Sequence, residues 1–352
     1  MYIFFVRILY QMNIFHQEKL YEYIETYTTD EADKKLRGCV FTNIPLTYTM
    51  TDLLPAYVWK DPNLKWLDPG TGIGNLLIVV YFRLMEGLTS IRNINKRRKH
   101  IIENMLFFVE LDISYIDKLK QIFCADKYKL NIFNGSFVYL HTLDENIPIY
   151  DKDTFGISFD IIIGNPPYQK PNMKDNSKLS TKPLYHLFVE NSIKFLKEDG
   201  LLLFIHPISW RRKSKEIKVI NEIINRKLIY IYTNNCFKEF GLSAPFINYY
   251  LLQNSMYDKG HMTKYKTIFN NITYTGELHI QNDLEYIPVM LTNNTMNIFN
   301  KVCRASDIKF DVQLEAKLST EKKNISKEKN SEFKYLNLHT YSKKKGYIYR
   351  YS

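Results

Sequence analysis

The chain has 352 residues, of which 45% are hydrophobic and 24% charged, with a formal net charge of +11 and an isoelectric point near 9.1. This composition excludes a disordered or fibrous chain and allows one large α/β domain with an appendage, or two modest domains. The basic balance suits a polyanion such as nucleic acid, although a lysine-rich solvated surface or the coding bias of an AT-rich genome produces the same charge.

The N-terminal stretch MYIFFVRILYQMNIF is apolar but short, is broken by Arg7 and has no small-residue cleavage site. It predicts a packing element within a helical extension over residues 1–35 rather than a signal peptide or a membrane span. Between residues 64 and 252 strand and helix patterns alternate. LKWLD (64–68) ends at an acid and leads through a glycine turn into the apolar helix NLLIVVYFRLMEGL (75–88). The segment IRNINKRRKH (91–100) reads as a basic insert before the strand MLFFVELD (105–112) and the helix YIDKLKQIF (115–123). LNIFNGSF (130–137) and ISFDIII (157–163) read as the third and fourth strands. LYHLFVENSIKFLKE (184–198) has helical spacing, and GLLLFIHP (200–207) reads as the fifth strand. LIYIYT (228–233) and FINYYLL (246–252) read as a final strand pair. Repeated βα units imply a mostly parallel sheet with helices on both faces, and such sheets bind ligands at the carboxyl ends of their strands. Residues 260–352 have weak strand signals, and the charged run STEKKNISKEKNSE from 319 reads as a linker or mobile loop. Cys39, Cys124, Cys236 and Cys303 lie far apart with no CxxC spacing, which argues for a reducing, intracellular compartment and against a zinc site.

The chemistry sits at the strand ends. In DPGTGIGN (68–75) the glycines Gly70, Gly72 and Gly74 let backbone pass close to a ligand, and the next helix offers free N–H groups. The pattern fits a dinucleotide, S-adenosylmethionine or a simple packing turn; Asp68 narrows it, because a fixed anion opposes a phosphate and suits an ammonium group. Glu110 ends its strand where a carboxylate accepts both hydroxyls of a ribose, while Asp112, two residues before Ser114, suits a helix N-cap. FNGSF (133–137) is either an ordinary turn or the border of an adenine ring with Phe137 against it. In FDIIIGNPPYQK (159–170) the isoleucines bury a strand that the prolines then stop. Asn165 and the rigidly aimed carbonyl of Pro166, followed by Pro167, place two acceptors side by side for the two hydrogens of an amino group. Tyr168 adds a flat face on which a planar base or amide can stack.

With these motifs in order, residues 36 to 255 resemble a class I S-adenosylmethionine-dependent methyltransferase. Among these the chain is most similar to N6-adenine DNA methyltransferases of the gamma arrangement found in restriction–modification systems. GCVFTNIPLTYTMTDLL (38–54) resembles the family's N-terminal cofactor motif, usually Phe-Thr-Pro before an apolar helix, with Asn43 in place of the proline. The resemblance implies that Phe41 and Thr42 cap the cofactor, that Asp68 meets its methionine amino group, and that Glu110 binds its ribose. The third motif usually reads Asn-Gly-Asp, and Ser136 stands here where that Asp meets the cofactor adenine. NPPY is unaltered. The expected fold is Rossmann-like with a mostly parallel seven-stranded sheet. A catalytic domain is expected over 36–258 and a short C-terminal region over 259–352, resembling part of a target-recognition domain.

The implied reaction is methyl transfer to the N6 amino group of an adenine flipped out of double-stranded DNA, without a metal. Asn165 and the Pro166 carbonyl would take the two N6 hydrogens, and the base would stack on Tyr168. The basic segment Trp210, Arg211, Arg212, Lys213 and Lys215 follows the fifth strand and is a candidate for tracking phosphates; Lys96, Arg97, Arg98 and Lys99 are a second, with a solvated loop the simpler reading. The same NPPY order occurs in methyltransferases of release-factor glutamine and of guanine in ribosomal RNA, so the motif alone leaves the acceptor open. A non-catalytic nucleic-acid-binding homologue is a further reading. Asp311, Glu315 and Lys317 echo a nuclease pattern only at chance level. The short C-terminal region implies a truncated chain, or specificity supplied by a partner such as a restriction endonuclease or a specificity subunit.

Overall fold

The computed structural model describes residues 12–28, 41–138, 148–150, 156–171, 179–213, 219–236, 246–301, 336–342 and 346–351. Lys215, Cys39, Cys303, the Asp311, Glu315 and Lys317 trio and the charged run from 319 lie outside them.

The sheet grows outward from β4 (Phe159–Gly164). Its neighbours are β1 (Trp66–Asp68) on one side and the long β7 (Leu196–Pro207) on the other, both parallel to it. Ile161 and Ile163 join the main core cluster with Leu201, Leu203 and Ile205, while Ile162 and Leu202 are equally buried on the opposite face. A strand covered on both faces reads as an unbroken apolar run, which is why III carries no alternation. Each such isoleucine contributes about 1.5–3 kcal/mol of burial.

Beyond β1 follow β2 (Leu106–Glu110) and β3 (Asn131–Asn134), both parallel. Helix α1 (Gln17–Thr28) contacts α2 (Ile44–Thr51), which packs on α3 (Asn75–Gly87). The segment 91–105 is ordered: α4 (Ile94–His100) runs into a π-helical turn, Ile101–Met105, at the amino end of β2. Helix α5 (Ile113–Ile122) begins at Asp112, whose carboxylate accepts from the Ser114 amide at 2.8 Å, so Asp112 is the N-cap. After β4 a small antiparallel hairpin, β5 (Gln169–Pro171) and β6 (Leu179–Pro183), precedes α6 (Tyr185–Phe195). Past β7 come a 3-10 turn, Ile208–Arg211, and the short α7 (Val219–Ile224).

The expected seven-stranded, mostly parallel sheet is a nine-stranded mixed one, in the order β11-β10-β8-β9-β7-β4-β1-β2-β3. β9 (Ile247–Met256) runs antiparallel between β7 and β8 (Arg226–Tyr232). The two added strands are β10 (Thr263–Phe269), parallel to β8, and β11 (Ile272–Leu278), antiparallel to β10. Their pattern was hard to see because two of the inward positions of β10, Thr263 and Thr267, are threonines, and the Thr267 hydroxyl satisfies itself on the Leu291 carbonyl at 2.7 Å. The sheet therefore continues past residue 258. One compact unit extends to Asn297 and includes most of α8 (Asn293–Phe299). The second unit, Ile298–Ser352, contains the antiparallel hairpin β12 (Leu336–Ser342) and β13 (Gly346–Tyr351). No helix among the described residues is long and apolar enough to cross a membrane.

A chain ended at residue 258 loses β10 and β11 and bares the edge of β8. It is expected to unfold at a lower urea concentration than a chain ended at 297, as followed by circular dichroism; equal midpoints would make the two added strands dispensable.

Candidate active site

Four parallel strands, β1, β2, β4 and β7, end at one edge of the sheet, and each delivers one part of the site. After β1 the chain turns through Asp68–Asn75. Asp68 is 1% exposed, and its carboxylate accepts from the Gly70 amide at 3.1 Å. Burial, with Glu110 nearby, pushes the Asp68 carboxyl up to about 8. A buried anion without a cation is unfavourable, so this carboxyl is built to receive a positive group. The turn is tied to β2, where the Thr71 amide donates to the Val109 carbonyl at 3.1 Å. Gly72 takes φ +57°, and a Cβ there would lie 2.6 Å from the Phe41 ring. Phe41 thus rests directly on the glycine loop, with its ring edge-to-face on Tyr115. Gly74 caps α3 at φ 95°, and Gly70 faces Pro167 and Phe188.

At the end of β2 Glu110 is gripped by backbone. One oxygen accepts from Gly72 at 2.7 Å and the other from Leu111 and Asp112 at 2.8 and 2.9 Å. Burial pushes its carboxyl up while those amides draw it down. Three fixed donors hold the acid in one orientation at the strand end, the place where hydroxyl pairs of a ribose are accepted. Asn43, which stands in place of the family's proline, caps α2: its side chain accepts from the Leu46 amide at 2.9 Å. The cap leaves Phe41 and Thr42 to enter the site.

Beyond β3 the expected adenine-bordering residues are turned into the loop. The Ser136 hydroxyl donates to the Val138 carbonyl at 2.7 Å and is 7% exposed. Phe137, 1% exposed, packs among Tyr150, Phe188 and Phe195 with ring centroids 5.4–5.9 Å away.

Asn165, Pro166, Pro167 and Tyr168 follow β4 directly. The Asn165 amide nitrogen donates to the Thr42 hydroxyl at 3.1 Å. The Asn165 side chain also lies against the Tyr168 hydroxyl. Among the described residues no donor reaches the Pro166 carbonyl. Tyr168 is half-buried with its hydroxyl sunk beside Asn165 and near Cys236, and burial pushes that hydroxyl well up. The ring is therefore an anchored wall rather than a swinging side chain.

At the end of β7 lies a feature that sequence reading passed over. His206 is fully buried, stacked on Tyr185 with centroids 4.6 Å apart, and shares a 3.1 Å hydrogen bond with the Tyr250 hydroxyl. Burial pushes its imidazole down to about 3, so it stays neutral and has no proton to trade near pH 7. Its only sequence signal was a polar residue inside an apolar run.

The basic clusters divide on inspection. Trp210 and Arg211 are 0% and 2% exposed, which removes both from direct phosphate contact. The indole N–H of Trp210 donates to Asn248 at 3.3 Å, and Arg211 donates to the carbonyls of Pro288 and Val289. Arg212 and Lys213 remain exposed on the site's rim, Lys213 paired with Glu285 at 3.0 Å. Lys96, Arg97, Arg98 and Lys99 lie before β2, at the amino edge and away from the site. Arg97 donates to the Met85 and Ile91 carbonyls and Arg98 to the Tyr81 hydroxyl, so both are structural. Among the described residues no His, Cys, Asp or Glu cluster could hold a metal ion.

A Rossmann-like sheet with a glycine loop after β1, an acid ending β2 and an Asn-Pro-Pro-Tyr turn ending β4 defines a methyltransferase-type α/β protein. Residues 79–269, just over half of the chain, match the Eco57I restriction-modification methylase family, and the chain belongs to that family. A protein of Mycoplasma pneumoniae (strain ATCC 29342 / M129 / Subtype 1) described as an uncharacterized adenine-specific methylase is 26% identical, over 74% of this chain and 77% of that one. Two solved structures share the fold. A DrdV–DNA complex, determined by electron cryomicroscopy, has a TM-score of 0.52 and 17% identity, covering 92% of this chain and 37% of that one. A structure described as a modification subunit of a type I restriction enzyme from Vibrio vulnificus YJ016 has a TM-score of 0.50 and 13% identity, covering 84% and 59%. The chain thus spans less than two thirds of either solved protein.

The residues fit S-adenosylmethionine: a buried acid in need of a cation, an oriented acid at the ribose position and an open glycine turn. Its ammonium group would draw Asp68 into the ionised form, so binding between about pH 6 and 7 is expected to release close to one proton, falling to about half near pH 8, and to tighten as pH rises toward 8. Calorimetry in two buffers of different ionisation enthalpy reads that proton; a buffer-independent heat would separate Asp68 from the ammonium. For the chain alone the sign is opposite. The unfolded carboxyl loses its proton near 3.8 and the folded one near 8, so this group's contribution to stability falls as pH rises between those values.

Proposed function

We propose that this chain transfers a methyl group from S-adenosylmethionine to the N6 amino group of adenine in DNA, using the gamma-type order in which the cofactor motifs precede NPPY. The observation that carries the reading is the Asn165 amide, its nitrogen held by Thr42 and its place directly before the Pro166 carbonyl at the end of β4, in a chain of a restriction-modification methylase family. The adenine-specific description of the Mycoplasma relative supports adenine over a glutamine amide or a guanine.

Phe41, Thr42, Asp68, Gly70, Gly72, Gly74 and Glu110 would hold the cofactor, with Ser136 and Phe137 closing the loop behind it. When bound it supplies an already activated methyl group on sulfonium. The chain's task is then alignment and charge stabilisation. The N6 lone pair is delocalised into the adenine ring and is a weak nucleophile. Accepting both N6 hydrogens, at Asn165 and the Pro166 carbonyl, favours a pyramidal nitrogen and stabilises the positive charge that develops on it. No general base is required, because the proton leaves after transfer; neutral, buried His206 beside the turn agrees with that.

The target atom is hidden in a duplex, so the base is flipped out at a cost of a few kcal/mol. Stacking on Tyr168, worth roughly 1–3 kcal/mol, offsets a comparable amount. Arg212 and Lys213, exposed after the end of β7, would be the cations that meet DNA phosphates. A restriction endonuclease or specificity subunit is the partner this reading calls for.

Supplied with labelled S-adenosylmethionine and, separately, duplex DNA, ribosomal RNA and release factor, the chain is expected to place label in N6-methyladenine of DNA. Asn165→Ala is expected to lower that rate about 10²–10³-fold with cofactor affinity retained. Label confined to glutamine or guanine would overturn the reading.

A further inference from the structure

Resting on that reading, we propose that Thr42 and Asn75 are positioning residues for the Asn165 amide, forming a relay that ties the cofactor turn to the acceptor that receives the target amino group. Asn75, the first residue of α3 after Gly74, is 3% exposed, and its side-chain nitrogen donates to the Thr42 carbonyl at 3.0 Å. That bond fixes the backbone of Thr42 over the glycine loop. The Thr42 hydroxyl, itself 2% exposed, then accepts from the Asn165 amide nitrogen at 3.1 Å. Three segments far apart in sequence meet here: residue 42 before α2, residue 75 opening α3 and residue 165 ending β4.

The chemistry of the relay is directional. A primary amide has a donating and an accepting end of nearly equal shape, and rotation by half a turn about the last side-chain bond exchanges them. For methyl transfer to an amino group Asn165 must present oxygen; the flipped amide would point two N–H groups at a group that is itself a donor. A hydroxyl both donates and accepts, and here the end of the amide that the buried Thr42 hydroxyl meets is the nitrogen. Thr42 supplies that acceptor. The residue before it, Phe41, is seated on Gly72, so a disturbance of the glycine turn reaches the Asn165 amide through Phe41 and Thr42. Occupation of the cofactor turn and correct orientation of the acceptor are thereby coupled before DNA arrives.

Thr42→Val keeps the shape and removes the hydroxyl acceptor. It is expected to lower kcat, read at saturating S-adenosylmethionine, roughly tenfold or more, the scale of one lost hydrogen bond, beyond any loss of cofactor affinity from the contact that Thr42 itself would make. Thr42→Ser restores the hydroxyl and is expected to restore kcat. An unchanged kcat in Thr42→Val, or a loss of cofactor binding that accounts for the whole effect, overturns the proposal.

A second readout does not depend on activity. In thermal unfolding of the chain without ligand, Thr42→Val and Asn165→Ala are expected to be non-additive, the double variant melting close to the lower single one. Additive shifts remove the relay even where DNA methylation is observed. Non-additive shifts in a chain that places no label in DNA leave the relay standing and overturn only the acceptor assigned under Proposed function.

Discussion

Everything functional in this protein hangs from the burial of β4 on both faces. Ile161, Ile162 and Ile163 are clamped between β1 and β7, with core above and below. A strand so enclosed cannot slide without exposing isoleucine, because a one-residue slip exchanges the two faces and breaks the ladder on both sides. Its carboxyl end is therefore a fixed point. Pro166 and Pro167 stiffen the chain where it leaves that point, and Asn165 and Tyr168 inherit the rigidity. Parallel pairing places the ends of β1, β2 and β7 at the same edge, so the glycine turn, Glu110 and His206 gather around it.

The electrostatics of the edge follow from that burial. Asp68 and Glu110 are two acids close together in a poorly solvated place, and both carboxyls are pushed upward. Backbone amides satisfy Glu110 from three directions, whereas among the described residues the Asp68 carboxylate accepts from the Gly70 amide alone. The asymmetry separates their roles. Glu110 is held as an oriented acceptor, and Asp68 is the group with most to gain from a cation. His206 and Tyr168 form the opposite side of the same edge, both neutral and both closely packed.

The parts of the fold legible in the sequence were those with strong periodicity or punctuation: LKWLD, FFVELD, the isoleucine run and LLLFIHP fall where the strands are, and Asp112 caps its helix. The motif residues at strand ends were legible because glycine, proline and a terminal acid are exceptional at those places. Less legible were β10 and β11, whose inward threonines disguise a buried face. The run Trp-Arg-Arg-Lys misled for a related reason. Charge in a sequence does not say which side chains a turn will bury, and the 3-10 turn at Ile208–Arg211 takes Trp210 and Arg211 inward while leaving Arg212 and Lys213 outside.

Local physics by itself determined the glycine turn, the proline-stiffened end of β4 and the acids beside them, since each depends on backbone freedom or the lack of it at one position. Tertiary structure decided which of those pieces touch. No spacing in the chain relates residue 42 to 75 or to 165; sheet order and helix packing bring them within hydrogen-bonding distance. It decided as well that a nine-stranded sheet, rather than a seven-stranded one, carries the site, because the outer edge of β8 finds its partner in residues that look polar until they are paired.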